Sequence, residues 1–275
     1  MSKLKTRLIS ALVGAIFVLG VIFSTPIIFH IAVAATCFLV LYELHVTFKQ
    51  ETKWQLIVLD YVFAFVMLLS PLFKQDIQRE TLMAFMALYV MLLLSLSVVW
   101  HESVKFTDVT RSFFMLTYAV LLPMHLTFVR AMDMGVVLIF LPFLGAWMPD
   151  TFAYFAGSLF GKHKLIPSIS PNKTVEGSIG AIVGALLMFG VYGLVVSGCF
   201  GYRVNYPLLM LLAFLCGIIA QFGDLAASVI KRECNMKDFG NIIPGHGGIL
   251  DRVDSLLFVA PVVYYFLLMF EVVYK

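Results

Sequence analysis

Charge is what this sequence has least of. Only 13% of its 275 residues are Asp, Glu, Lys or Arg, against 61% hydrophobic, and the mean hydropathy is +0.99. A soluble domain carries about 25% charged residues, so a soluble globular fold is excluded. No stretch is long and polar enough for a separate soluble domain. Repeated apolar runs near 20 residues instead predict an all-α fold, a polytopic transmembrane helical bundle, because helices satisfy their own backbone in lipid. Cysteine is scarce too: Cys37, Cys199, Cys216 and Cys234, with no CxxC pair. That argues against a disulfide framework or a zinc site. Three of the four lie in or beside apolar runs, where a thiol packs as a small apolar group. Internal repeats and low-complexity tracts are absent. The net charge of +3 is small, and no nucleic-acid partner is expected.

What is present is a succession of about nine apolar spans, near 7–24, 26–46, 54–73, 81–100, 112–130, 134–158, 176–197, 206–230 and 253–273. The break between the fifth and sixth rests on Arg130 and Asp133. The first run follows MSKLKTR and reads as a retained helix rather than a cleaved signal. With a cytosolic N-terminus, 14 of the 19 Lys and Arg residues fall on the cytosolic side, as the positive-inside rule requires. The polar loops 159–175 and 231–252 then share that side. Residues 1–133 read as scaffold helices whose chief intramembrane charges are Glu43 and Asp60. Residues 134–275 hold nearly all the unusual polar residues and read as the catalytic half of one integrated membrane domain.

Charge concentrates in Gly217–Ser255, GIIAQFGDLAASVIKRECNMKDFGNIIPGHGGILDRVDS. Gln221, Asp224, Ser228 and Lys231 are spaced to share one helical face. An Asp at mid-helix costs about 2.5–3.5 kcal/mol on insertion scales and so faces protein or a wet cavity; a packing pair with Lys or Arg accounts for it equally. Asp251, Asp254 and Ser255 share a face at the start of the last span. Helix-dipole and capping chemistry explains one such acid well, but not two with Arg252 between them. A loop of about 20 residues makes the two helices antiparallel neighbours, so Asp224 and Asp251 are expected to approach each other. Two carboxylates at one wet site suit Mg²⁺, and Lys231, Arg232, Lys237 and Arg252 suit phosphate. Gly245, Gly247 and Gly248 leave backbone open to an anion, with His246 between them as a phosphate donor, an acid/base or an ordinary loop residue.

Upstream, PDTFAYFAGSLFGKHKLIPSISPNKTVEG carries Asp150 and Lys173. The glycines Gly157, Gly161, Gly177, Gly180 and Gly184 read mainly as close-packing positions. Lys173 precedes the seventh span, where a helix N-terminus favours anions, and Thr174 and Glu176 help start that helix. Lys162, Lys164 and Lys173 also satisfy a plain positive-inside reading.

The run SVIKRECNMKDFGNIIPGHGGILDRVD, Ser228 to Asp254, resembles the signature of the CDP-diacylglycerol synthases, the phosphatidate cytidylyltransferases. Gln221-x-Gly223-Asp224 and Ser170-Pro171-x-Lys173-Thr174-x-Glu176-Gly177 are similar to that family as well, so the resemblance covers about residues 145–275. It implies that CTP and phosphatidic acid give CDP-diacylglycerol and pyrophosphate, with Mg²⁺ and K⁺ beside it, on a helical membrane protein that is often a homodimer. Asp224 and Asp251 match the family's acidic metal positions. The expected roles are metal binding for Asp224 and Asp251, with Asp254 as third ligand or support. Lys173, Lys231, Arg232, Lys237 and Arg252 hold phosphates; Ser228 and His246 are polar supports; Asp150 belongs to the same site. The short chain resembles bacterial members, hence a plasma membrane with the site facing the cytoplasm. Two alternatives stand beside this: a CTP-dependent transferase acting on an isoprenoid or ether-lipid phosphate, and a secondary transporter. The transporter is disfavoured by the missing repeat. A CDP-alcohol phosphotransferase is disfavoured because its DGxxAR and GxxxDxxxD motif is absent.

Overall fold

The computed structural model describes the backbone of residues 3–49, 53–70, 75–243 and 247–275, and the side chains of 12–49, 53–70, 80–243 and 247–275. Helix dominates. The order is α1 (Lys3–Ile22), α2 (Pro26–Thr47), α3 (Trp54–Leu69), α4 (Gln75–Val99), α5 (Phe106–Leu116), α6 (Leu122–Ala131), α7 (Gly135–Leu138), α8 (Phe140–Phe160), α9 (Val175–Phe200), α10 (Tyr206–Glu233) and α11 (Leu250–Met269). A π-helical turn, Thr117–Leu121, joins α5 to α6. Two antiparallel ribbons complete the described structure: β1 (Lys164–Ile166) with β2 (Ser170–Thr174), and β3 (Arg203–Val204) with β4 (Val273–Tyr274).

Among the described residues, seven helical stretches are long and apolar enough to cross a membrane. Two of the nine expected spans, 7–24 and 54–73, correspond to shorter apolar helices, Leu12–Ile22 and Trp54–Leu69. The protein is an integral membrane protein.

Local chemistry explains where the helices begin and end. Thr25 caps α2 by accepting from the Ile28 N–H at 3.4 Å, with Pro26 at the first helical position, where its missing N–H costs nothing. Thr174 caps α9 through the Gly177 N–H at 3.1 Å, and Asn205 caps α10 through Leu208 at 3.3 Å. α10 stops at a left-handed Asn235, φ 54°. The Met236 N–H closes back on the Lys231 carbonyl at 2.8 Å, the six-to-one bond of a Schellman turn.

The chain packs as two units, Met1–Thr127 with Asp238–Leu250, and Phe128–Lys237 with Asp251–Lys275. In the first unit, Phe29, Val33, Cys37, Val40, Leu41 and Leu44 form the buried stripe of α2, spaced as one helical face. Buried polar groups cross-link its helices. The Tyr89 hydroxyl donates to Asp60 Oδ1 at 2.5 Å, and His45 Nε2 lies 3.2 Å from Asp60 Oδ2. Asp60 is fully buried. Asp60→Ala leaves the tyrosine hydroxyl and the imidazole without their carboxylate, so it is expected to cost about 1–3 kcal/mol of stability. Thermal unfolding in detergent checks this, and an unchanged melting temperature contradicts it.

In the second unit, α8 and α9 lie against each other over most of their length. A Cβ on Gly184 would stand 2.2 Å from Phe152 Cγ, and one on Gly180 2.3 Å from Ala156 Cβ. These glycines serve packing, as small residues do between membrane helices. α10 meets α11 as closely: a Cβ on Gly223 would come within 2.8 Å of the Asp254 carbonyl oxygen and 2.9 Å of Ser255 Cα. That contact brings Asp224, on α10, to the first turns of α11.

Candidate active site

Four elements of the second unit deliver charged side chains to one another. The β1–β2 hairpin is closed by Glu176, which accepts from the Lys162 N–H at 3.1 Å and meets His163 Nδ1 at 2.7 Å. Lys164 donates to the Pro171 carbonyl at 2.7 Å. The closed hairpin ends on Lys173, whose ammonium forms an ion pair with Asp224 Oδ2. About a quarter of each partner is exposed, 23% and 27%, so solvent and a polar ligand can reach the pair. Two turns along α10, Lys231 Nζ meets Asp251 Oδ1 at 2.7 Å, and this pair is much more buried, at 11% and 3% exposure.

Asp150 and Asp254 join the two pairs. The Ser255 hydroxyl donates to Asp150 Oδ2 at 3.0 Å and lies 3.4 Å from Asp254 Oδ1. The charge of Asp224 acts on both Asp150 and Asp254. Lys173 acts on Asp150, and Lys231 on Asp254. Two Lys–Asp ion pairs, Lys173–Asp224 and Lys231–Asp251, thus flank the acids Asp150 and Asp254, which share the Ser255 hydroxyl. Asp150 follows Pro149 inside α8. Proline has no N–H to give, so the helix ladder is interrupted one residue from this carboxylate.

The remaining expected site residues are placed as follows. Ser228 is buried on α10. Arg232 is exposed; its Nε donates to the Ile169 carbonyl of the hairpin at 3.3 Å and its Nη1 to Met236 at 3.5 Å. Lys237 and Arg252 are exposed. Gly247 and Gly248 belong to the first unit. Gly247 is left-handed, φ 84°, and accepts from the Ile243 N–H at 2.9 Å. His246 and Gly245 lie outside the described residues. Asp224 and Asp251, expected to approach each other, each form an ion pair with a lysine, Lys173 and Lys231 respectively.

Two residues were underweighted by sequence reasoning. Ser255 had been placed on the face of Asp251 and Asp254, and its hydroxyl turns out to connect two of the carboxylates. Glu43, grouped with the scaffold, accepts from the Ile249 and Leu250 N–H groups at 2.8 Å each. Its signal was present all along, since a carboxylate inside an apolar span is costly enough to need a purpose.

Among the described residues, no three His, Cys, Asp or Glu side chains enclose a metal position. Mg²⁺ does not require such an enclosure: it keeps several waters and binds through one or two carboxylates plus substrate phosphates. Asp224 and Asp251, with Asp150 and Asp254 beside them, offer only hard oxygen donors, with Asp224 open to solvent. The donor set fits that ion.

Comparison with known proteins agrees with the chemistry of these groups. A sequence model described as the cytidylyltransferase family matches residues 5–270. A phosphatidate cytidylyltransferase of Bacillus subtilis (strain 168) is 34% identical over 279 residues, spanning 98% of this chain and 100% of the relative. One from Staphylococcus saprophyticus is 38% identical over 186 residues, 68% of each chain. One from Thermotoga maritima is 41% identical over 133 residues, 48% of this chain and 49% of its own. With its charged network borne on membrane helices and a relative aligned from end to end, the chain belongs to the cytidylyltransferase family, among the phosphatidate cytidylyltransferases.

Proposed function

We propose that this protein transfers the cytidylyl group of CTP to phosphatidic acid, giving CDP-diacylglycerol and pyrophosphate for phospholipid synthesis. The observation that carries the reading is the pair of ion pairs Lys173–Asp224 and Lys231–Asp251, with Asp150 and Asp254 gathered at the Ser255 hydroxyl. Two polyanions must meet there. A phosphate oxygen of the lipid attacks the α-phosphorus of CTP; the bond from that phosphorus to the bridging oxygen breaks, and pyrophosphate leaves with the electron pair. The lipid phosphate is itself the nucleophile, so no covalent enzyme intermediate is needed.

Each residue then has a task. Lys173, Lys231 and Arg232 bind phosphate oxygens and hold the reacting groups in line, with Lys237 and Arg252 adding to the positive field. Asp224 and Asp251, with Asp254 and Asp150 beside them, would hold Mg²⁺. Bound Mg²⁺ supplies charge neutralisation at the phosphates and polarisation of the α-phosphorus. Ser255 orients Asp150, and Ser228 and His246 are polar supports. The ion pairs seen here keep the acids and lysines in place until phosphates exchange with them. The Lys and Arg distribution supports a site facing the cytoplasm of a bacterial plasma membrane, where CTP arrives from solution and the lipid phosphate lies in the headgroup plane.

The test uses purified protein in detergent with radiolabelled CTP. Phosphatidic acid, an ether-lipid phosphate and an isoprenoid phosphate are supplied separately, with and without Mg²⁺ and K⁺. Label is expected in CDP-diacylglycerol, one pyrophosphate per product, and chelation of Mg²⁺ is expected to lower the rate at least about 10²-fold. Preferential labelling of the isoprenoid acceptor would replace this reading with the related transferase.

A further inference from the structure

We infer that Glu43, from the half of the chain without the signature, is a positioning residue that sets the start of α11 and thereby the acids of the reaction. The inference rests on the proposed cytidylyl transfer. Glu43 lies one turn from the end of α2 and is 2% exposed. Oε1 accepts from the Ile249 N–H and Oε2 from the Leu250 N–H, both at 2.8 Å. Those amides open α11. The first N–H groups of a helix have no partner within it and carry its positive end. A carboxylate that takes two of them with both oxygens is a charge-assisted, geometrically specific cap, supplied here from more than 200 residues away in sequence.

The loop is shaped around this carboxylate. A Cβ on Gly248 would stand 2.6 Å from Glu43 Oε1 and 2.8 Å from Oε2, and one on Gly240 3.0 Å from Oε1. Two glycines of the signature therefore make room for an anion, and the anion is the protein's own. This changes the expected part of Gly248, which sequence reasoning had offered to a substrate phosphate.

The consequence travels along the chain. Asp251 is the residue after Leu250, and Asp254 and Ser255 follow one turn later. A helix fixes the phase of its side chains once its first turn is fixed. With the Ile249 and Leu250 amides held, Asp251 is held at Lys231 and Asp254 at the Ser255 hydroxyl beside Asp150. Without the cap the first turn frays, as helix ends do, and the acids lose their register while the basic residues of α10 and the hairpin keep theirs. Glu43 touches no substrate in this scheme, so its loss should lower kcat while leaving KM for CTP nearly unchanged.

The test measures both constants on purified full-length protein in detergent, with hydrogen exchange of the peptide covering 247–256. Glu43→Gln is expected to lower kcat at least about tenfold, keep KM for CTP within about threefold, and speed exchange in that peptide. Gly248→Ala and Glu43→Asp are each expected to be impaired. The double variant withdraws the carboxylate by one carbon from the added methyl and should recover at least about threefold over Gly248→Ala alone. A general loss of fold would not produce that recovery. Glu43→Gln with kcat within twofold of wild type and unchanged exchange overturns the inference, as does a double variant whose losses multiply. If Glu43→Gln does not fold, the Gly248–Glu43 pair of variants decides. Wild-type protein that makes no CDP-diacylglycerol overturns the proposed activity instead, and leaves the exchange measurement to judge the role of Glu43.

Discussion

Asp224→Asn is expected to lower CTP-dependent labelling of lipid by about 10²–10³-fold, the loss typical of removing one electrostatic group at a reacting centre. Asparagine keeps the size and one oxygen of the side chain but removes its charge. Three things then change together. Lys173 loses its counter-ion, the influence of Asp224 on Asp150 and Asp254 disappears, and a hard cation loses the most solvent-accessible carboxylate of the network. α10 should still form, because its Asn205 cap, its Schellman turn and its contacts through Gly223 do not involve this side chain. Labelled CTP incorporation in membranes, normalised to tagged protein, is the measurement. Activity above about one third of wild type removes Asp224 from the proposed metal site.

Lys231→Met should be nearly as damaging, for a different reason. The Lys231–Asp251 pair is largely shielded, at 11% and 3% side-chain exposure, and removing one partner of a shielded pair costs up to about 3–5 kcal/mol. Stability and activity therefore fall together, and a single variant cannot separate them. Exchanging the two residues can: Lys231→Asp with Asp251→Lys rebuilds an ion pair of opposite sense. Folding, followed by melting in detergent, is expected to recover much of the loss. Activity is expected to stay at least about 10²-fold down, because the ammonium and carboxylate now point at the wrong reactants. An exchanged enzyme that regains both reduces the pair to a purely structural role.

Much of this arrangement was legible in the sequence, for reasons particular to each element. α9, α10 and α11 announce themselves by long apolar runs with Thr174, Asn205 and acidic first-turn residues at their starts. Asp224 and Lys231 stood out because charge is costly within an apolar helix. Other features were hidden. The 159–175 stretch reads as a polar loop, yet Glu176 and Lys164 close it into a hairpin, and those bonds join residues 7 to 14 positions apart. α3 counts as a span by hydropathy but has only 16 residues. The ion-pair partner of Asp224, Lys173, could not be chosen from spacing, because helical phase specifies a face and not which loop or ribbon residue meets it. How closely α10 and α11 approach was hidden as well: Gly223 lets α10 touch the backbone of Asp254 and Ser255.

The bond from Glu43 to the start of α11 also imposes an order on biosynthesis. Glu43 leaves the ribosome 206 residues before Ile249 does, which at about 5–20 residues per second is a wait of roughly 10–40 s. Through that interval a carboxylate sits near the end of a newly inserted helix with its final amides not yet made. Until then it lacks the Ile249 and Leu250 amides that hold it in the finished fold. The end of α2 therefore reaches its finished contacts only after Ile249 and Leu250 have emerged.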